Sequence, residues 1–470
     1  MFQRKKRRVA VIERAWKYRI YPTELQQFAI TGQGHTARAL WNLIHDYYTF
    51  HHRRRPTATE LAKAIQQGRR DLPWLAELPA QACQQIQRTY LTSWKRFFAG
   101  TSGRPQFKGR SKTRSGFDVP QARDLNITRT SDKWATVNIA KVGVLRYRNH
   151  RPLPAGAVVS GARIVADGEH WQLVLRLTLP RPTPLPVDRP REGADRGTVI
   201  PLAISDGNTY THGNFLTPGE TRRLTLAERR SARMRQQRHQ LRGKRARQGG
   251  NEIKQYQILA TLRARATRRR EYWQHQTSRH LAQTYQGMAF EKLNVKNMTR
   301  SAKGTAAEPG RNVAAKSGLN RTILNEGWSA HLWKISYKID ESGGEIVFVP
   351  APGTSQTCHR CQSTAPGQRQ NQALFNCLNP ACGWTGNADY NAANNIKHRA
   401  YQRGSTTAPN GAPAEGLKLC PAVGLTDADC PGYEPGKPKP APPATGIDAP
   451  ATKGTQRRQE QNTAFLTAAS

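Results

Sequence analysis

VPAPGTSQTCHRCQSTAPGQRQNQALFNCLNPACGWTGNADYNAANNI, residues 349–396, carries the chain's most specific residue pattern. It holds two thiol pairs, Cys358-x2-Cys361 and Cys377-x4-Cys382, separated by a fifteen-residue loop. Four thiolates at this spacing close a tetrahedral zinc site, and a closed site leaves no open position for chemistry. The metal is therefore expected to hold structure. A disulfide framework is the weaker alternative, because nothing else in the chain points to an oxidising compartment. Seven residues past the last thiol, Asp389 stands at the entrance of the helical segment NAANNIKHRA. Any chemistry must come from this carboxylate and from partners elsewhere in the chain.

The chain has 470 residues, enough for about two to four domains with real cores. Lys and Arg number 74 against 32 Asp and Glu, a formal net charge of +42. So large a charge repels itself, and a polyanionic partner is the natural way to offset it. Nucleic acid fits better than a membrane, since no apolar run is long enough to span one. The start, MFQRKKRRVAVIERAW, has neither a long apolar segment nor a small-residue cleavage site, so it reads as a basic arm touching phosphate and not as a secretory signal. Seven cysteines, an odd number, agree with a reducing bacterial cytoplasm, with the protein near the nucleoid. Cys83 reads as a core residue, while Cys420 and Cys430 fall in a tail with little to pack against.

Near the start of the chain, RAWKYRIY (14–21) alternates apolar and polar residues as a strand does. After Pro22, Thr23 and Gln26 form a capping-box start for a helix to about His51, with Gly32 and Gly34 weakening its middle. Further helices are expected over Thr59–Gln67 and Ala80–Phe98. GRPQFKGRSKTRSGF (103–117) interleaves basic residues with two phenylalanines, suited to gripping a backbone and stacking on a base, or to a plain surface loop. Strand-like runs at Trp134–Ile139, Val142–Tyr147, Ala162–Ala166 and Trp171–Leu179 read as a small β-barrel completed by the N-terminal strand, with the helices inserted. A proline-rich link, 179–192, ends this half.

The second half opens with GADRGTVIPLAISDGNTY (193–210), a strand, turn, strand with a tight turn at Asp206-Gly207. Residues 218–286 are helical, with a break at 248–251, and 221–247 carry eleven Lys and Arg against one Glu. A charge so one-sided favours phosphate contact over a merely solvated hairpin. GMAFEKLNVKN (287–297) reads as a short buried strand delivering Glu291. Leu319–Glu341 is expected as one amphipathic helix, and GGEIVFVP as a buried strand leading into the cysteine stretch. From about Arg403 onward Pro, Ala and Gly dominate, and disorder is expected.

Three acids stand beside core elements: Asp195, Glu291 and Asp389. Converging at one end of a mixed sheet, they would bind two Mg2+ ions, which activate water and steady the leaving oxygen in phosphodiester hydrolysis. Hard carboxylate oxygens suit Mg2+, as thiolates do not. Surface salt bridging is the competing reading of the same acids.

GADRGTVIPLAISDG, GMAFEKLNVKNM and GTSQTC-x2-C…C-x4-CG…NADYNAANNI resemble, in order, the RuvC motifs and zinc ribbon of the TnpB family of RNA-guided nucleases and miniature type V CRISPR effectors. KYRIYPTELQ, QACQQIQRTYLTSWKRFF, PQFKGRSK and LNRTILNEGW agree, so the resemblance covers about residues 14–400. It departs at Ala194, where Ile or Val is commoner, and in the four residues between the last cysteines. The resemblance implies a multidomain α+β architecture. A wedge-type β-barrel would comprise 1–22 and 99–180, with a helical recognition insertion at 23–98 and a linker at 181–192. An RNase H-like (RuvC) nuclease domain would comprise 193–349 and 386–402, a zinc ribbon 350–385, and a disordered tail 403–470. It makes Asp195, Glu291 and Asp389 the Mg2+-binding catalytic acids and Cys358, Cys361, Cys377 and Cys382 the zinc ligands. Candidate nucleic-acid contacts are Lys17, Tyr18, Arg19, Tyr21, Arg104, Phe107, Lys108, Arg110, Lys112, Arg229, Arg230, Arg233, Lys296 and Asn297. The implied activity is cleavage of double-stranded DNA, as a monomer or dimer on one guide RNA that is CRISPR- or transposon-derived. The basic N-terminus and long tail lean towards a CRISPR effector. Competing readings are an RNA-guided repressor without cleavage, a guide-free RNase H-fold nuclease or recombinase, and a non-catalytic zinc-ribbon RNA-binding protein.

Overall fold

Capping and alternation set the local elements of the first half. The computed structural model describes residues 11–50, 54–110, 113–186, 188–243, 246–305, 308–371 and 373–401. The basic arm, Lys112, Cys420, Cys430 and the expected tail lie outside the described residues. The chain divides into two compact units, one through Pro180 and one from Arg181. No helix of the described residues is long and apolar enough to cross a membrane.

In the first unit β1 (Val11–Ile20) is followed by α1 (Glu24–Phe50). Thr23 and Gln26 exchange the two hydrogen bonds of a capping box, at 3.1 and 3.3 Å. The helix runs unbroken through Gly34, which is buried because the backbone at Gly116 passes against it. Next come α2 (Ala58–Asp71), with its own Thr57–Glu60 capping box, α3 (Pro73–Ala76) and α4 (Ala80–Phe98). Six strands follow: β2 (Gly116–Val119), β3 (Thr128–Arg129), β4 (Trp134–Ile139), β5 (Gly143–Arg148), β6 (Val158–Asp167) and β7 (His170–Pro180). They form one seven-stranded sheet ordered β2-β6-β7-β1-β5-β4-β3, every pairing antiparallel. Its inner face and the helices share one core that includes Ile20, Leu40, Ile44, Tyr90, Leu145 and Leu173.

The second unit begins with residues tied firmly to it. Arg189 donates to the carbonyls of Ala282, Tyr285 and Ser342, fastening a segment whose prolines suggested a free link. The unit holds β8 (Arg191–Asp195), β9 (Leu202–Ile204), β10 (Thr209–Tyr210), α5 (Pro218–Arg242), α6 (Gly250–Thr284), β11 (Gly287–Glu291), α7 (Val295–Met298), α8 (Val313–Glu326), α9 (Trp328–Glu341), β12 (Glu345–Val349), β13 (Leu374–Asn376), β14 (Thr385–Asn387) and α10 (Ala388–Tyr401). Two expectations are corrected. The break in the basic hairpin starts at Gly243, whose positive φ of 76° ends α5. The helix expected over Leu319–Glu341 is two helices, because Gly327 at φ 64° adopts the left-handed conformation that caps α8 and starts α9.

The main sheet is ordered β10-β9-β8-β11-β12, with β8, β11 and β12 parallel and β9 and β10 antiparallel. Period two divides its faces. Ala194, Met288 and Phe290 pack with Leu281 of α6 and Ile335 and Ile339 of α9. On the other face Ala289 and Val349 pack with Ile396 of α10. Gly193, Asp195 and Glu291 share that second face by parity, so the end of the sheet aims its acids at α10.

Candidate active site and metal centre

The parallel register pairs Phe290 with Ala194, which places Glu291 and Asp195 side by side at the ends of β11 and β8. Asp389 sits in the first turn of α10, where the Asn387 side chain accepts from the Asp389 and Tyr390 amides. The helix can lie close to β8 because residue 193 is glycine. A Cβ there would come within 2.5 Å of the Lys397 amide nitrogen and closer still to the Ala393 carbonyl. One helical turn from Ala393 back to Asp389 matches the two-residue step from Gly193 to Asp195, so the close approach at one point sets the acids together at the other. Behind this seam Lys397 Nζ lies 2.8 Å from the buried Glu192 carboxylate, which also accepts from Ser205 Oγ.

The electrostatics record the convergence. Burial first, then the Glu291 and Asp389 carboxylates, push Asp195 up to about 7, while Arg369 and Arg196 pull it back. Burial also raises Asp389, against the Arg369 guanidinium 3.6 Å away. Thr354 Oγ1 donates to the Glu291 carboxylate. Arg196 Nη2 donates to the Glu291 carbonyl at 2.7 Å, and its burial lowers that guanidinium to about 10.

The four cysteines form the other cluster. Their Sγ atoms all lie within 4.8 Å of one another, with Cys358–Cys382 at 3.8 Å and Cys361–Cys377 at 3.5 Å. Tetrahedral zinc with Zn–S bonds of about 2.3 Å needs sulfurs roughly 3.8 Å apart, so the set fits zinc. Ser363 pulls the Cys361 thiol down to about 6, favouring the thiolate that binds metal, while burial raises Cys358 to about 12. Among the described residues the cysteines are the group that meets this mutual limit. Asp195, Glu291 and Asp389 are a separate group, linked by the charges of Glu291 and Asp389 acting on Asp195.

The cysteine loop is stitched to α10 by asparagines. Asn391 accepts from the His359 amide at 2.9 Å and donates to the Thr357 carbonyl at 2.8 Å. Asn395, one turn on, donates to the Thr354 and Thr357 carbonyls. The i, i+4 spacing in NAANN puts both on one helix face, a signal the reading from sequence left unused. Thr354 and Arg369 also went unnoticed: each acts through the folded loop, and no local pattern marks either.

The nucleic-acid candidates divide. Tyr18 is a correction. It is 1 % exposed, and its hydroxyl donates to the Arg151 carbonyl, so it is a core residue unable to touch a ligand. Lys17, Arg19 and Tyr21 alternate with it and are exposed. Arg104, Phe107 and Arg110 are exposed, whereas Lys108 is half-buried over the Trp41 ring at 3.5 Å and is lowered to about 8, chiefly by burial. Arg229, Arg230 and Arg233 are exposed on α5. The hairpin acids are already engaged: Glu220 with Arg265 and Arg269, Glu228 with Arg263, and Glu252 with Arg238. Lys296 and Asn297 are exposed on α7.

A sheet end bearing carboxylates under a helix, with a four-cysteine loop stitched to that helix, defines the class. The family described as "Cas12f1-like, TNB domain" matches residues 328–396. InsQ of Escherichia coli K12, assigned as an RNA-guided DNA endonuclease, is 30 % identical over 323 residues, 69 % of this chain and 75 % of that protein. A second protein so assigned, from Streptomyces pristinaespiralis, is 26 % identical over 395 residues, 82 % of this chain and 89 % of its own. The CRISPR-associated endodeoxyribonuclease Cas12f1 of Sulfoacidibacillus thermotolerans is 46 % identical over 63 residues, 13 % of this chain and 14 % of that one. This chain belongs to the TnpB family of InsQ, to which the miniature type V effectors are related.

Proposed function

We propose that this protein is an RNA-guided DNA endonuclease that cleaves through one RuvC-type site formed by Asp195, Glu291 and Asp389. The observation that carries the reading is the gathering of these carboxylates at one sheet end, where burial and then the Glu291 and Asp389 charges push Asp195 up to about 7. Such a site suits divalent ions, and Mg2+ held by the three acids would activate water and stabilise the leaving oxygen. The protein's own residues prepare that site. Thr354 fixes the Glu291 carboxylate, and Asn387 caps the turn that presents Asp389. Arg369 is placed to meet the non-bridging oxygens of a phosphodiester drawn to the acids, a charge-assisted contact. Zinc on the four cysteines would hold the loop that carries Thr354 and Arg369.

The strand order β10-β9-β8-β11-β12 supports an RNase H-like nuclease domain. The net charge of +42 supports guide RNA and target DNA as partners held by their backbones, with sequence choice delegated to guide pairing. The first unit would then hold the guide and read a short motif flanking the target.

Protein purified with its co-expressed locus should carry a discrete RNA and linearise a plasmid matching that RNA in Mg2+. Asp195→Ala should bind the same plasmid and leave it uncut. Cutting by Asp195→Ala, or wild-type cutting that survives removal of the RNA, would overturn the reading.

A further inference from the structure

Phe107, one of the candidate nucleic-acid contacts, has a second exposed ring beside it. Phe50, the last residue of α1, is 63 % exposed, and Phe107, between α4 and β2, is 42 % exposed. Their planes are parallel within 5°, with centroids 6.4 Å apart. His45 stands edge-on to both, at 4.5 Å and 88° to Phe107 and at 6.3 Å and 84° to Phe50. The imidazole is fixed, because its Nδ1 lies 3.1 Å from the hydroxyl of Tyr90, which is fully buried. Trp41 and Tyr48 pack on that tyrosine in turn, at 5.2 and 5.4 Å. Two parallel rings therefore stand beside a fixed imidazole.

A flat ring stacks on an exposed aromatic face at a van der Waals contact of about 3.5 Å, and parallel neighbouring rings widen the surface offered to it. The surroundings are cationic. Arg104 lies over Trp94 at 5.7 Å, and Arg55 lies over Trp94 and Phe98 at 4.8 and 4.6 Å. Asp46 is the acid that faces His45, with Arg104 acting on it in the opposite sense. Exposed aromatic faces beside guanidinium groups suit a ligand with a flat π-system and a phosphate attached.

We propose that Phe50 and Phe107 form a stacking platform for one unpaired nucleobase, with Arg104 against the adjoining phosphate. The inference rests on the nucleic-acid reading above and narrows it to a single-stranded position, since a base inside a duplex has both faces stacked on its neighbours. The base can come from the guide RNA or from unwound target DNA; the chemistry is shared.

The test uses the full chain with its co-purified type of RNA. In one arm the guide carries 4-thiouridine at successive positions; in the other the target DNA carries 5-iododeoxyuridine. After irradiation, an adduct on the peptide bearing Phe50 or Phe107 is expected in one arm, and that arm names the source. Phe107→Leu and Phe50→Leu, which keep apolar bulk but remove the π-face, should each weaken binding of that nucleic acid roughly tenfold. Their melting temperatures should match wild type. Adducts elsewhere but on neither phenylalanine in both arms would overturn the platform, as would leucine variants that bind like wild type. If no RNA accompanies the protein and no adduct forms anywhere, the functional reading falls and the platform with it. Should one leucine variant fail to fold, the wild-type cross-link and the other variant still decide.

Discussion

Gly193→Ala tests the idea that one close approach sets the acids together. The new Cβ would stand 2.5 Å from the Lys397 amide nitrogen and 3.0 Å from Lys397 Cα, both backbone atoms of α10. Ordinary contact lies near 3.5 Å, so α10 must retreat from β8 by about 1 Å. No side chain can swing aside to absorb this, because the clash is backbone on backbone. Overpacking of this kind costs about 1–3 kcal/mol of stability. The larger effect falls on the site, since Asp389 rides on the helix that moves. A misplacement of about 1 Å costs on the order of a hundredfold in rate. Single-turnover plasmid cleavage at saturating Mg2+ should therefore slow about a hundredfold, while guide and target binding hold. Gly32→Ala is the matched control: a Cβ at Gly32 meets nothing within 4 Å in α1, and alanine favours a helix interior. A Gly193→Ala protein that cuts and melts like wild type would refute the seam as the device that places Asp389.

Cys358→Ser should release zinc and unfold the cysteine loop, because binding and folding are one event in such small units. Zinc measured by emission spectroscopy should fall, and cleavage should be lost with it; full zinc and activity would count against the assignment. Lys397→Met leaves the Glu192 carboxylate, 7 % exposed, without its cation and should cost about 3 kcal/mol in urea unfolding. Glu192→Gln in the same chain should recover part of that loss. For His212, burial opposes the charged ring, but the Glu326 carboxylate 2.8 Å away and the Gly213 carbonyl outweigh it, so its folded pKa is raised. That stabilisation is full below the unfolded value near 6.5 and is lost as pH rises through the raised one. His212→Gln should therefore cost more stability at pH 6 than at pH 9, and an equal cost at both would remove the ion pair from the account.

The elements whose signals are local were legible in the sequence. Thr23 with Gln26, and the alternation from Trp171 to Leu179, carry their own instructions in capping and period. The four thiols are equally plain, because their spacing is itself the chemistry. Gly327 was not legible as a helix break: a lone glycine between Glu326 and Trp328 is tolerated in many helices, and only packing decides when it turns left-handed. Arg369 belongs to the same class, since it reaches Asp389 from a loop whose path depends on the cysteines. Tyr18 is different. Its parity with Trp16 and Ile20 on one face of β1 was visible, and applying period two would have placed it in the core. The acids lay between these cases: each sits beside an apolar run, but their meeting depends on the register of two parallel strands and on Gly193.

The order in which the three acids occur along the chain has a consequence for synthesis. A ribosome making this protein releases Asp195 first, Glu291 nearly a hundred residues later, and Asp389 only after all four cysteines. The sheet end can form from the earlier segments, but the seam along Gly193 stays uncovered until α10 emerges. The cluster is thus completed by the last described helix, which is stitched to the cysteine loop through Asn391 and Asn395. A nascent chain surrounded by messenger and ribosomal RNA carries its positive charge long before it carries a finished cutting centre.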